Sequence, residues 1–329
     1  MAIPRNLVYV FLLAIIIAFA GMIYVIYSEK DLTSFIHSSS IEVQENIMVH
    51  PLFQQLQEQM QKLDEVPRLD FKDLSPKKFY KEYLTRNIPL VVENGCKQWP
   101  AFKKWGDMSY LEQSFGSQSL YIQRLERNDK SRIFQNYGMQ IYNRRNTFEY
   151  FKNKTENDTD GGLVMYFFQN EMIVNRNLIH DIQKPNFLSK ILRNRLTGMT
   201  MWAPFVRKPE YKDKERYVCV IKGSEQFRMV SPVYKHEIYS GVLEELDPEI
   251  TPLNFFQRVN TTKFPLYERA KVLNIIVDEG DCLFVPAFYW VQSHTVAEEA
   301  ILVNFEYESH SELANLLFKA IDHGILEDD

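Results

Sequence analysis

RYVCVIKGSEQFRMVSP, residues 216–232, decides the fold. It holds two strand candidates, Tyr217–Ile221 and Gln226–Val230, with a turn signal between them. Further short candidates lie on both sides: Ile88–Glu93, Leu120–Gln123, Leu163–Phe168, Val272–Val277, Cys282–Val285 and Ala300–Tyr307. Many short strands with turn signals between them indicate a barrel or sandwich core. Helical patterns cluster before and after them. Ser75 and Pro76 stand at the N-cap and first positions of one helix, whose buried face is Phe79, Tyr83 and Leu84. Another runs from Val49 to Leu63, with Leu52, Phe53, Leu56, Met60 and Leu63 on one face and Gln54, Gln55, Gln57, Gln59 and Gln61 filling the other, and Pro67 ends it. It packs on the domain or on a neighbour. A last helix starts at the Ser309/Glu312 capping box, with Leu313, Leu316, Leu317, Ala320 and Ile321 as its stripe, and stops at Gly324.

Composition narrows the class. The chain has 329 residues and a net charge of -5, with 45% hydrophobic, 25% charged and 14% aromatic residues. Those values fit a folded chain of one large or two small domains and exclude a disordered one. A mildly acidic balance gives no electrostatic support for a nucleic-acid partner. Cys96, Cys219 and Cys282 are too few for a disulfide framework, and no CxxC pair exists to hold zinc. At most one bridge could form, and the simplest reading is three buried free thiols.

Residues Leu7–Tyr27, LVYVFLLAIIIAFAGMIYVIY, run 21 positions without a charge. As a helix this is about 30 Å, the thickness of a bilayer's hydrocarbon. It is too long for a signal-peptide core and no A-x-A follows, so an uncleaved anchor is expected. Tyr9, Tyr24 and Tyr27 sit towards its ends, as interfacial aromatics do. Arg5 precedes the span, and Glu29, Lys30 and Asp31 follow it; the short tail favours the N-terminus inside. The sequons at Asn153, Asn157 and Asn260 are compatible with that orientation. The expected organisation is an N-terminal tail and anchor at 1–28, a linker and Gln-rich helix at 29–68, a barrel domain at 69–308, and a helix with an acidic tail at 309–329.

Three stretches in order carry a resemblance: FYKEYLTRNIPLVVENGCKQWPAFKKW at 79–105, residues 216–232 above, and EGDCLFVPAFYWVQSHT at 279–295, followed by LVNFEY at 302–307. Together they resemble the cupin-like JmjC family, close to the branch of the factor-inhibiting asparaginyl hydroxylase. The resemblance implies a mainly β fold with flanking helices, the double-stranded β-helix or jelly-roll (cupin) barrel. In active relatives the barrel holds iron(II) and uses 2-oxoglutarate and dioxygen to hydroxylate or demethylate proteins. The iron needs two His and one carboxylate on one face. Relatives supply the first His and the carboxylate as H-x-D, whose i, i+2 spacing puts both on one side of a strand.

This sequence departs from the family at each functional position. Counted back from Ile221-Lys222-Gly223, the H-x-D slot reads Glu210-Tyr211-Lys212. Val291 stands where the second His should be, with Gln292 next and His294 three residues late. The lysine that anchors 2-oxoglutarate in relatives falls on Glu225. A shifted slot could recruit Asp213, yet no His lies between His180 and His236. His236, His294 and His310 read as ordinary surface or core residues. No catalytic residue, metal or cofactor is therefore expected, and Glu210, Lys212, Val291 and Glu225 are vestigial positions. The pocket is expected to be salt-bridged and partly closed: Lys212 between Glu210 and Glu225 in place of the metal charge, Arg207 and Arg216 nearby, Val291 filling the space of a ring.

The resulting expectation is a single-pass, catalytically inactive JmjC-like domain that works as a scaffold or accessory subunit. It would bind the bilayer through residues 7–27 and proteins through the domain, and could pair with a second copy through the C-terminal helix. The alternatives are an active hydroxylase using iron(II) and 2-oxoglutarate, or a lumenal ligand-binding module. The expected place is an endomembrane lumen such as that of the endoplasmic reticulum, or else the mitochondrial inner membrane facing the intermembrane space.

Overall fold

Helix start signals, strand alternation and a single cross-strand disulfide account for most of the architecture. The computed structural model describes residues 51–115, 120–126, 139–142, 161–166, 168–169, 172–173, 176–191, 196–202, 209, 211–240, 251–296 and 300–308. The expected span at 7–27, Asn153, Asn157, Arg207, Glu210 and the C-terminal helix lie outside the described residues. Among the described residues no helix is long and apolar enough to cross a membrane. Leu52–Phe318 make one compact unit.

In chain order the unit opens with α1 (Pro51–Lys62), β1 (Arg68–Asp70), α2 (Pro76–Phe79), β2 (Leu90–Glu93), α3 (Pro100–Lys104) and α4 (Met108–Phe115). The strands β3 (Leu120–Glu126), β4 (Met139–Tyr142), β5 (Gly161–Tyr166), β6 (Phe168–Gln169) and β7 (Met172–Ile173) follow. Then come α5 (Arg176–Ile179), α6 (Asn186–Ile191), β8 (Leu196–Trp202), β9 (Lys214–Lys222) and β10 (Ser224–Val230). The chain continues with β11 (Val272–Asp278), β12 (Cys282–Val285), β13 (Trp290–Thr295) and β14 (Ile301–Glu308). The Ser75 cap forms as expected: its hydroxyl accepts the Lys78 N–H at 3.2 Å. The Gln-rich helix packs on its own domain, with Met60 buried and its Sδ 2.9 Å from the Tyr289 hydroxyl.

From β8 onward the strands fall into two sheets. One has the order β1-β2-β12-β9-β14-β8, the other β11-β10-β13. The chain leaves the large sheet after β9, returns at β12, leaves again for β13 and comes back at β14, the winding of a double-stranded β-helix. Strand β9 is buried at seven consecutive positions because both its faces are covered. Tyr217, Cys219 and Ile221 join a core with Phe79, Trp99, Trp105 and Phe187 from the helical layer. Arg216, Val218 and Val220 alternate to the other face, the barrel interior. On the small sheet Glu225, Phe227 and Met229 are buried and alternate with Gln226 and Arg228 on the outer face.

Strand β13 was not among the sequence candidates, because Gln-Ser-His breaks its apolar run. Its polar outer face is used by a loop: Gln292 accepts the Phe255 N–H at 2.6 Å and donates to Asn254 at 3.0 Å. Arg228, directly across from Gln292, donates to the Phe255 carbonyl and lies 4.8 Å from the Phe256 ring. The three-thiol expectation is also corrected. Cys219 and Cys282 face each other directly across β9 and β12 and form a disulfide; Cys96 alone is free, and buried. Strand register, invisible in a spacing of 63 residues, brought the pair together.

Candidate functional site in the barrel interior

The inward face of the small sheet carries two of the positions singled out in the sequence, Val291 and Glu225. Val291 lies directly across from Met229, Ser293 from Phe227, and Thr295 from Glu225. All six are buried. Period-two alternation therefore puts Val291 and Glu225 on one face, four residues of strand apart, with Phe227 and Ser293 between them. Glu225 accepts a hydrogen bond from the Thr295 hydroxyl at 2.7 Å, which offsets part of the cost of burying its carboxylate. His294 has the opposite parity. It sits across from Gln226 on the outer face, with its ring 5.6 Å from that of Phe256, so it does not reach the interior.

Tyr211 and Lys212 run beside the start of β13. Lys212 accepts the Phe288 N–H through its carbonyl at 2.8 Å, and the Tyr211 ring lies 4.4 Å from that of Trp290. Phe288 takes φ +70°, unusual for a bulky side chain, and these contacts hold it there. The Lys212 ammonium donates to Glu306 on β14, and Asn304 donates to the same carboxylate at 3.1 Å. Lys212 thus pairs with Glu306 rather than with Glu225, which corrects the expected charge arrangement. Arg216, directly across from Glu306, is buried and donates to the Tyr289 carbonyl at 3.3 Å. Asn304 and Glu306 were missed in the sequence, although the signal was there: two polar residues two apart in LVNFEY, on one side of an otherwise apolar strand.

Of the positions that the resemblance assigns to iron(II) and 2-oxoglutarate, Lys212, Val291 and Glu225 are among the described residues. Valine and methionine offer no hard donor for iron(II). A carboxylate at Glu225 repels the dicarboxylate that a lysine would hold. Among the described residues, one group of three His, Cys, Asp or Glu side chains has donor atoms close enough to share an ion: Cys96, Cys219 and Cys282, within 4.8 Å of one another. It lies on the helix-facing side of the large sheet, and two of its members are bonded to each other.

A family described as "Cupin-like domain" matches residues 76–313, most of the chain. The chain belongs to the cupin-like domain family. JmjC proteins are its relatives: it is 22% identical over 228 residues to JmjC domain-containing protein D of Dictyostelium discoideum, covering 64% of this chain and 50% of that protein. It is 22% identical over 282 residues to the human bifunctional peptidase and (3S)-lysyl hydroxylase JMJD7, covering 78% of this chain and 88% of that protein. It is 20% identical over 246 residues to lysine-specific demethylase JMJ30 of Arabidopsis thaliana, covering 73% of this chain and 54% of that protein. The chain thus spans about half the length of the first and third of these relatives. The cupin-like barrel accounts for the strand winding and for the inward face that carries Val291 and Glu225.

Proposed function

We propose that this cupin-like protein is a membrane-anchored pseudo-oxygenase, a JmjC-like barrel retained for binding proteins after loss of its iron site. The observation that carries the reading is the inward face of the small sheet. It presents Val291 against Met229 and Glu225 against Thr295, and the resemblance assigns these two positions to a metal-binding histidine and a carboxylate-binding lysine. The Lys212–Glu306 pair adds a neutralised charge at the segment that would carry the other ligands. The apolar span at 7–27 supports a single-pass anchor with the barrel in an endomembrane lumen. The helix after residue 309 is the candidate surface for a second copy or a membrane partner.

The rival reading is an active hydroxylase or demethylase, as the names of two relatives would have it. Metal analysis of the full chain in detergent, loaded anaerobically with iron(II), separates the two, together with calorimetry of added 2-oxoglutarate. The pseudo-oxygenase reading predicts no stoichiometric iron and no heat of 2-oxoglutarate binding. One iron per chain with saturable 2-oxoglutarate binding would overturn it.

A further inference from the structure

We propose that Asn260 carries an N-linked glycan in the mature protein. The inference rests on the lumenal reading above and deepens it to one atom. Asn260-Thr261-Thr262 is a sequon with no proline at its second position or immediately after it. Asn260 is exposed. Its Oδ1 accepts the N–H groups of Thr262 at 3.0 Å and Lys263 at 3.2 Å. The turn thus brings the sequon hydroxyl residue against the carboxamide, while Nδ2, the atom to be modified, takes no part in those bonds. The backbone carbonyl of Asn260 accepts from Lys263 and Phe264, closing the turn.

Anchors on both sides, Phe255 buried and Tyr239 half-buried, tie this turn to the domain. Upstream, Phe255 is tied to Gln292 and Arg228 of the small sheet. Downstream, the Tyr239 hydroxyl accepts the Leu266 N–H at 3.0 Å and its ring packs on Phe264. A second, independent feature agrees with the compartment. The Cys219–Cys282 bridge belongs to an oxidising environment, such as the lumen in which such glycans are attached. In the transfer, Asn260 Nδ2 forms a bond to the anomeric carbon of a polyprenyl-diphosphate-linked oligosaccharide. The bond from that carbon to the diphosphate breaks, the polyprenyl diphosphate leaves with the electron pair, and one amide proton passes to a base of the transferase.

The test uses the full chain expressed in a eukaryotic cell, as wild type, Asn260→Gln and Thr262→Ala. Thr262→Ala destroys the sequon but keeps the Asn260 side chain, so a folding defect of Asn260→Gln cannot be mistaken for loss of a glycan. Occupancy is read by gel mobility and by peptide mass after enzymatic deglycosylation, which converts a glycosylated Asn to Asp. Thiols are counted by alkylation under denaturing conditions. The expected result is a glycan at Asn260 in wild type and a mobility step of one glycan lost in both variants. Glycans at Asn153 or Asn157 with Asn260 bare would overturn the assignment and leave the lumenal reading standing. No glycan anywhere, with Cys219 and Cys282 bridged, would overturn both in favour of an oxidising compartment that does not glycosylate. No glycan and three free thiols would overturn the orientation of the anchor as well.

Discussion

Lys212 forms its ion pair with Glu306 of β14, and Glu225, the carboxylate expected to receive it, instead accepts from Thr295. The lysine side chain is 34% exposed and the glutamate 15%, so the pair is partly screened by solvent. A double-mutant cycle of Lys212→Met with Glu306→Gln should give a coupling of about 1 kcal/mol in urea unfolding. The cycle of Lys212→Met with Glu225→Gln should be additive. Coupling in the second cycle as large as in the first would contradict the pairing described here.

Asp181 fastens the helical layer to itself. Its carboxylate accepts from Lys104 Nζ at 2.7 Å, Trp105 Nε1 at 3.0 Å and the Tyr110 hydroxyl at 2.5 Å. Burial pushes this carboxyl up, but the hydrogen bonds from Lys104, Tyr110 and Trp105 outweigh it and hold it below the usual value. A depressed folded value means that the ionised group contributes stability above the ordinary aspartate range, near pH 3.9, and that this contribution is lost as pH falls through the folded value. Asp181→Ala leaves the buried Trp105 indole N–H and the half-buried Tyr110 hydroxyl without their acceptor and should cost about 2 kcal/mol at neutral pH. Its acid denaturation curve should also be flatter below about pH 4 than that of wild type. A variant that tracks the wild type in acid would show that Asp181 does not set that limb.

Gly95 has no room for a side chain. A Cβ there would lie 2.7 Å from Cys282 Sγ, 2.8 Å from the Tyr217 hydroxyl and 3.0 Å from the Val92 carbonyl. None of these can retreat, since both side chains are held in the core. Gly95→Ala should destabilise by about 2 kcal/mol through overpacking. Gly106→Ala is the control: nothing lies within 4 Å of its Cβ, and the change should stay within about 0.5 kcal/mol. Equal thermal midpoints for the two variants would refute the crowding argument.

The Cys219–Cys282 bridge closes a loop spanning 63 residues of sequence. Constraining the unfolded chain over that length is worth roughly 4 kcal/mol. Reductant should therefore lower the unfolding midpoint of wild type and leave a Cys219→Ala/Cys282→Ala variant unmoved. Cys96 should resist alkylation in the native state, because burial first and the Asp281 carboxylate second push its thiol well above the usual range. Rapid native labelling of Cys96 would show that the sheet opens there.

The sequence by itself determined the barrel. Tyr217–Ile221 and Cys282–Val285 are apolar runs and Gln226–Val230 alternates polar with apolar residues, each near turn residues, and these local patterns place them as strands. It also determined the Ser75 cap and the Gln-rich helix, since each depends only on neighbours along the chain. Tertiary structure decided which residues meet. The Lys212–Glu306 pair, the Thr295 bond to Glu225 and the Cys219–Cys282 bridge join positions 63 to 94 residues apart. Their contacts follow from strand register, which is set when two faces bury their apolar rows together, and a slip of one residue would exchange every one of these partners. Strand β13 shows the same limit from the other side. Its Gln292 and His294 look like interruptions until the loop at 254–256 packs over them and turns an outer face into a buried one.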